Sequence, residues 1–128
     1  VHAVTTANRA LLKVILETGE LRDPDHVAAA ARLAIAHGAD FVKTSTGTTP
    51  VSATLEATGI LLRVIVGADR PVGLKASGGI RTVEQAGEYL DQAERIMGPS
   101  WARPATFRFG ASALLDALLA TLDGHPNP

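Results

Sequence analysis

Four short apolar segments recur along the chain, and a turn containing glycine follows each of them. They are residues 11–16, 39–43, 72–75 and 106–110. Short apolar runs that end in glycine turns and alternate with longer helical segments are typical of βα units. The pattern therefore predicts an α/β fold with four parallel strands.

The segments between these strands carry signals for helix starts and stops. Asp23 followed by Pro24 is a cap with proline at the first helical position, and Gly38 is a stop signal. Thr82 and Gln85 have the spacing of a capping box. The predicted helices cover residues 23–37, 52–67, 82–98 and 112–122.

Side chains alternate between the two faces of a strand, so each predicted strand has a charged and an apolar set. The charged face carries Lys13, Glu17, Lys43, Lys75 and Arg108, together with Ile15, Phe41, Gly73 and Gly110. The opposite face carries Val14, Leu16, Val42, Val72, Leu74, Phe107 and Phe109. Because unpaired buried charges are very costly, the charged face must be a solvated site or the inside of a barrel.

The chain length fits half of a barrel. A complete (β/α)8 barrel takes about 250 residues, whereas this chain has 128. We therefore predict half of a TIM barrel, a single (βα)4 unit over residues 1–128 in which residues 1–10 are the tail of a preceding helix. Such a half would leave two open sheet edges and an uncovered face. The chain would then dimerise, lack a partner half, or form a small open sheet.

Composition argues against several kinds of function. The net charge is −1, and no basic stripe marks a nucleic-acid surface. No stretch approaches the about 20 apolar residues of a membrane span, and residues 1–6 do not resemble a secretory signal, so we expect no membrane contact and a cytoplasmic location. The chain has no cysteine, and its histidines, including His125, lack metal-ligand spacing, so we expect no metal site.

Two lysines stand at equivalent points of neighbouring units. Lys43 opens the segment KTSTG, and Lys75 opens the segment KASGG 32 residues later, which is close to the length of one βα unit of about 30 residues. Both would lie at the C-terminal ends of their strands, where such folds place their chemistry. A lysine must be unprotonated to attack a carbonyl carbon, and a neighbouring cation favours that form. A pair of solvent-facing lysines would give the same pattern.

Two glycine turns and one carboxylate complete the candidate chemistry. Gly78-Gly79, followed by Arg81, leads into one capped helix, and Gly110-Ala111-Ser112 leads into the next. Glycine turns at helix N-termini present N–H groups to anions, although they also simply make tight turns. Glu17 could relay a proton or partner a lysine, or it could form a salt bridge that orients Lys13 or Lys43.

Four blocks of the chain resemble deoxyribose-phosphate aldolase. They are LKVILETGEL at 12–21, GADFVKTSTG at 38–47, GLKASGGIRT at 73–82 and FRFGAS at 107–112. Their order and spacing match the last four strands of that family's barrel, and the resemblance extends from Leu11 to about Leu122.

The resemblance implies that Lys43 forms a Schiff base and that Lys75 perturbs it. The residues it implies for the substrate and its phosphate are Thr44, Thr46, Gly47, Gly78, Gly79, Arg81, Gly110 and Ser112. It implies reversible cleavage of 2-deoxyribose 5-phosphate to glyceraldehyde 3-phosphate and acetaldehyde, without a metal or other cofactor. The ligand would be a phosphorylated sugar or a small aldehyde.

Some features depart from the family pattern. The family takes a catalytic aspartate from earlier strands, which the four matching blocks do not include. Thr48 stands where many members carry lysine, and residues 125–128 do not resemble a tail that closes over substrate. Three interpretations therefore stay open. The chain is an aldolase completed by a complementary half-barrel, or it is a self-assembling homo-oligomer without catalysis that at most binds a phosphorylated ligand. The third is a different Schiff-base or phosphosugar barrel enzyme.

Overall fold

The computed structural model describes residues 1–124, so the tail at 125–128 lies outside the described residues. The elements in chain order are α1 (His2–Ala7), β1 (Lys13–Ile15), α2 (Thr18–Leu21), α3 (Pro24–Ala36), β2 (Phe41–Lys43), α4 (Leu55–Val66), β3 (Gly73–Ser77), α5 (Val83–Met97), β4 (Phe107–Gly110) and α6 (Ala113–Leu122). This alternation confirms the predicted α/β fold of four βα units.

The four strands form one parallel sheet in the order β1-β2-β3-β4. Its register places Ile15 opposite Lys43 and Lys43 opposite Lys75, and the same row ends at Arg108 on β4. The predicted convergence of Lys43, Lys75 and Arg108 on one face is therefore confirmed. Because the strands are parallel, their C-terminal ends also meet at one edge of the sheet.

The core lies between the opposite face of the sheet and helices α3, α4 and α5. The strand residues Val42, Leu74 and Ala76 are fully buried there. The helices cover them with Val27, Ala31, Ile35, Leu61, Leu62, Ile65, Ala86, Tyr89 and Ala93. Strand β1 is at an edge, so its apolar residue Val14 is only partly buried.

Caps decide where the helices begin. Asp23 Oδ1 accepts a hydrogen bond of 2.8 Å from the backbone of Asp25, and Thr82 forms the predicted capping box with Gln85. Helix α4 begins three residues later than Ser52, since Thr54 is its cap. The N–H of the intervening Ala53 is bound instead to the carbonyl of Gly78 at 3.3 Å.

Helix α2 was not predicted. Its four residues are too few for a helical period to show in the sequence, and one of them is Gly19. The helix is flanked by two residues with left-handed φ, Glu17 at 53° and Arg22 at 56°. None of the helices in residues 1–124 combines the length and the apolar character that crossing a membrane requires.

Gly73 makes room for an aromatic ring on the charged face. A Cβ at Gly73 would overlap the ring of Phe41, which lies opposite it in the register. Cations lie on the same ring, with Arg108 Cζ at 4.4 Å and Lys13 Nζ at 5.6 Å from its centroid. The absent side chain therefore lets Phe41 bury most of its surface and support two of the charged side chains.

We expect Gly73→Ala to lower the free energy of unfolding by about 1–3 kcal/mol, because the added methyl must displace the Phe41 ring. Gly87→Ala is the matched control, since a Cβ at this site in α5 meets nothing within 4 Å. It should stabilise the helix by about 0.5–1 kcal/mol. Denaturant titration measures the free energy of unfolding of each variant, and equal effects of the two substitutions would contradict the packing of Phe41 against Gly73.

Candidate active site

A cleft of about 240 Å³ opens at the C-terminal ends of β3 and β4. Its lining residues are Thr46, Gly47, Ser77, Gly78, Gly79, Ile80, Arg81, Gly110, Ala111, Ser112 and Ala113. The structure thus brings together all but Thr44 of the residues that the resemblance implies for the substrate and its phosphate. We call this space the cleft.

The cleft walls are formed largely by bare backbone. Gly78 and Gly79 both have positive φ, at 88° and 82°, a conformation that favours glycine. A Cβ at Gly78 would lie 2.6 Å from the Cβ of Ser52 and 3.0 Å from the Cα of Gly47. The two loops therefore approach each other only because no side chain stands between them.

Helix α6 begins at the edge of the cleft and leaves its first N–H groups without a side-chain cap. Ser112 occupies the cap position but makes no capping hydrogen bond, and Ala113 follows it as the first helical residue. The first N–H groups of a helix have no intrahelical acceptor, and the helix dipole favours an anion there. Arg81 adds an exposed guanidinium, and its backbone is held by a 2.8 Å hydrogen bond to Gln85 Oε1. The cleft is therefore suited to an anionic group.

Both candidate lysines lie on strands whose C-terminal ends lead to the cleft. Lys43 and Lys75 are partly buried and occupy paired positions of β2 and β3. A Cβ at Gly110 would lie 2.7 Å from Lys75 Cε, so the Lys75 side chain passes close to the backbone of Gly110. Within residues 1–124 neither amine forms a salt bridge, since the ion pair found there joins Arg70 and Asp40 at 3.8 Å.

The chain has three lysines in all, and they share the charged face. The pKa of Lys13 lies below the ordinary lysine value, first because partial burial disfavours its charged form. The positive charges of Lys75, Arg108 and Lys43 lower it further. This face is therefore a region of concentrated positive charge.

Thr44 lies apart from the cleft. Its side chain is fully buried, and its hydroxyl donates to Ser77 O at 3.2 Å and accepts from Ser77 N at 3.0 Å. As the residue after Lys43, it points to the other side of the sheet. The resemblance placed it at the pocket, whereas the structure uses it to join the ends of β2 and β3.

Ser77 is a site residue that the sequence analysis did not single out. It lines the cleft, and its hydroxyl donates to Gly110 O at 3.2 Å. Its carbonyl accepts from the hydroxyl of Ser45 at 2.5 Å as well as from Thr44. A signal was present in the sequence, since Ser45 and Ser77 stand two residues after the two lysines.

Glu17 bonds to threonines rather than to a lysine. Its Oε2 accepts from Thr46 Oγ1 at 2.6 Å, both carboxylate oxygens lie within 3.2 Å of Thr46 N, and Oε1 accepts from Thr49 Oγ1 at 3.1 Å. The hydrogen bonds from Thr46 are the main reason that the pKa of Glu17 lies below its usual range. Of the alternatives that the sequence left open for Glu17, the salt bridge to Lys13 or Lys43 is not formed.

Metal ligands do not gather in the described part of the chain. Residues 1–124 contain no group of three or more histidine, aspartate or glutamate side chains that could hold a metal ion. Apart from that absence, the described site combines two lysines on neighbouring strands with a cleft suited to an anionic group.

Two buried threonines give a matched test of the Thr44 contact. Thr44→Val leaves the N–H of Ser77 without its acceptor, so we expect a loss of about 1–3 kcal/mol in the free energy of unfolding. Thr58→Val removes a buried hydroxyl that has no hydrogen-bond partner within residues 1–124. That change should be neutral or slightly stabilising. Thermal unfolding of both variants checks this, and a Thr44→Val protein as stable as the parent would refute it.

Comparison with known proteins identifies similar sequences and folds. The model of the DeoC/LacD family of aldolases matches residues 2–120. Over 114 residues the chain is 58% identical to deoxyribose-phosphate aldolase of Agrobacterium fabrum (strain C58), a match that covers 89% of this chain and 44% of that protein. The chain thus spans less than half the length of this curated relative.

Solved structures show the same relation. A Toxoplasma gondii protein described as a deoxyribose-phosphate aldolase superposes with a TM-score of 0.86 at 28% identity, covering 94% of this chain and 48% of that one. The tetrameric deoxyribose phosphate aldolase of Aeropyrum pernix gives a TM-score of 0.71 at 26% identity, covering 94% and 45%. The four βα units therefore align with somewhat less than half of each structure, which confirms the half-barrel prediction.

Proposed function

This chain belongs to the DeoC/LacD family of aldolases, and from that premise we propose that it is the lysine-bearing half of a deoxyribose-phosphate aldolase. The activity proposed is the reversible cleavage of 2-deoxyribose 5-phosphate to glyceraldehyde 3-phosphate and acetaldehyde, carried out when a complementary half completes the barrel. The observation that carries the proposal is the pairing of Lys43 with Lys75 beside the cleft.

Lys43 is the proposed nucleophile. Its uncharged amine adds to the aldehyde carbon of the open-chain sugar, and loss of water gives an iminium. A base then takes the proton of the C3 hydroxyl, the C2–C3 bond breaks, and its electron pair moves into the iminium to form an enamine as glyceraldehyde 3-phosphate leaves. Protonation of the enamine and hydrolysis by water release acetaldehyde and restore the amine. Lys75 is the proposed cation that favours the uncharged form of Lys43.

The cleft is the proposed phosphate site. The first N–H groups of α6 face it, and Arg81 adds a permanent positive charge at its rim. Gly78, Gly79 and Gly110 would let phosphate oxygens approach the backbone closely. Ser112 would add a hydroxyl as a hydrogen-bond donor. Thr46 and Gly47 would form the facing wall. A phosphorylated sugar would thus be held by its phosphate while its aldehyde reaches the lysines.

A complementary half-barrel is the proposed partner. Apolar side chains that a closed barrel would cover are exposed near both edges of the sheet. They are Ile15 on the edge strand β1 and, on α6 after the other edge strand, Leu115, Leu118, Leu119 and Leu122. An apolar cavity of about 770 Å³ lies beside β1 and is lined in part by Leu12, Val14 and Leu33. Open strand edges and exposed apolar patches of this kind favour association.

The second candidate is the self-assembling, non-catalytic half-barrel, in which the partner is another copy of the chain. In its favour, Glu17 is engaged by Thr46 and Thr49, which leaves this half without an available carboxylate on the charged face as the base. Against it, a second copy would bring a second set of Lys13, Lys43, Lys75 and Arg108 into the same interior, where like charges repel. We favour the complementary half for that reason.

Three further elements complete the proposal. Residues 1–10 are the tail of a preceding helix in a single (βα)4 unit, the location is cytoplasmic, and no metal, other cofactor, nucleic acid or membrane takes part.

Borohydride trapping with acetaldehyde tests the Schiff base directly. We expect one reduced ethyl adduct that peptide mapping by mass spectrometry places on Lys43, and we expect Lys43→Met to abolish it. The mapping is unambiguous because the chain has only two other lysines, Lys13 and Lys75. Lys13→Met is the control and should retain the adduct. A folded protein that gives no adduct, or adducts spread evenly over the three lysines, would exclude Lys43 as a selective nucleophile.

Sedimentation of the isolated chain tests the open edges. We expect a mass above that of one chain, because the exposed α6 leucines favour association of two copies. This association through α6 is separate from the closure of two charged faces on each other. Replacing Leu115, Leu119 and Leu122 with lysine should shift the sample toward the monomer. Val66→Lys, at a comparably exposed apolar site at the end of α4, should not. A parent chain that sediments as a clean monomer at all concentrations would oppose this view of the edges.

A further inference from the structure

Glu17 binds the loop that carries one wall of the cleft. Both of its carboxylate oxygens are used, Oε2 by Thr46 and Oε1 by Thr46 and Thr49. Thr46 and its neighbour Gly47 both line the cleft. We infer that Glu17 is a positioning residue, whose carboxylate holds Thr46 and Gly47 at the distance from Gly78 that a bound phosphate requires. The ligand in this inference rests on the proposed function, but the contact itself does not.

The backbone around Glu17 is anchored by contacts other than its carboxylate. Thr18 N donates to Thr44 O at 2.9 Å, which ties this segment to the end of β2. A Cβ at Gly19 would overlap the backbone of Val51, so α2 packs directly on the far end of the loop. Glu17 itself has a φ of 53° and a ψ of 59°, which turns the chain from β1 into α2. The carboxylate is therefore presented from a fixed backbone to a loop without secondary structure of its own.

A carboxylate suits this position better than an amide. Each of its oxygens only accepts, and here both receive N–H or O–H donors from the loop. A glutamine would have to turn its NH2 group toward Thr46 or Thr49, because one of its two terminal atoms is a donor. Hydrogen bonds to an ionised acceptor are also about twice as strong as neutral ones. Glu17→Gln therefore keeps the shape of the side chain and weakens the contact that holds the loop.

The two lysines are positioned by other contacts. The backbone of Lys43 is held within the sheet by bonds from Leu16 N to Lys43 O at 2.9 Å and from Thr44 N to Lys75 O at 3.1 Å. Loosening residues 46–49 leaves those bonds in place. Loss of the Glu17 carboxylate should thus weaken phosphate binding and spare the reaction of the amine with an aldehyde.

Two sugars that differ only in the phosphate separate these effects. Imine trapping with cyanoborohydride is followed in the full chain against the concentration of 2-deoxyribose 5-phosphate and of 2-deoxyribose. For Glu17→Gln we expect the half-saturating concentration of the phosphate ester to rise about 10-fold, in keeping with the loss of one charge-assisted hydrogen bond. The value for 2-deoxyribose should stay within about twofold. A general loss of structure would raise the half-saturating concentrations of both sugars alike.

Two further variants complete the design. Glu20→Gln removes an equal charge three residues away, on α2, and should leave the half-saturating concentration of each sugar unchanged. Thr49→Val removes a single contact to Glu17 at a residue outside the cleft lining, so a smaller rise of about threefold is expected for the phosphate ester alone. If Glu17→Gln does not fold, Thr49→Val decides the question. Equal effects on the two sugars, or none, overturn the inference.

Amide hydrogen exchange separates this inference from the proposed function. If the parent chain traps neither sugar, the proposed function fails, and exchange at the Thr46 amide then tests the contact alone. Exchange about 10-fold faster in Glu17→Gln, with Glu20→Gln unchanged, supports the positioning role. Exchange that is the same in both variants overturns it.

Discussion

The pairing register between β2 and β3 is the constraint on which the rest of this structure depends. With Val42 opposite Leu74 in the buried layer, Lys43 must stand opposite Lys75 on the other face. A slip of one residue would put a lysine into the apolar layer against α4, where burying its charge is very costly. Packing of the core therefore selects the register, and the register places Lys43 and Lys75 side by side on one face. The chemistry of the site follows from the hydrophobic pattern.

The same alternation leaves the charged face with an excess of positive charge. Lys13, Lys43, Lys75 and Arg108 share it, whereas its carboxylate, Glu17, is bound by loop threonines. In isolation this face remains wet, which lowers the energy of four like charges through solvent screening. On the proposed function, a barrel that closes over this face would reduce the screening and would need carboxylates from the second half. Completing the fold and completing the proposed active site would then be the same event.

The sequence predicted the fold because its signals are local. Strand parity, the cap at Asp23 and the capping box at Thr82 each need only a few adjacent residues, and all are found in the structure. Helix α2 was missed because four residues show no period. The later start of α4 was missed because Ala53 is held by Gly78, 25 positions further along the chain.

The sequence predicted which residues form the candidate site better than it predicted the contacts that those residues make. The glycines at 78, 79 and 110 could be read as a close approach of backbone, and they line the cleft. The contacts of Thr44 and Glu17 were not predicted, and the reason is the same for both. Each of these side chains bonds to a strand or loop about 30 residues away, Thr44 to Ser77 and Glu17 to Thr46, and no local pattern reports such a partner.

Scalar couplings across hydrogen bonds in NMR spectra measure the register between β2 and β3 most directly. We expect a coupling between the amide nitrogen of Thr44 and the carbonyl carbon of Lys75, and another between the amide of Leu16 and the carbonyl of Lys43. A coupling from the Thr44 amide to the carbonyl of Leu74 or Ala76 instead would place the two lysines on opposite faces and contradict this register.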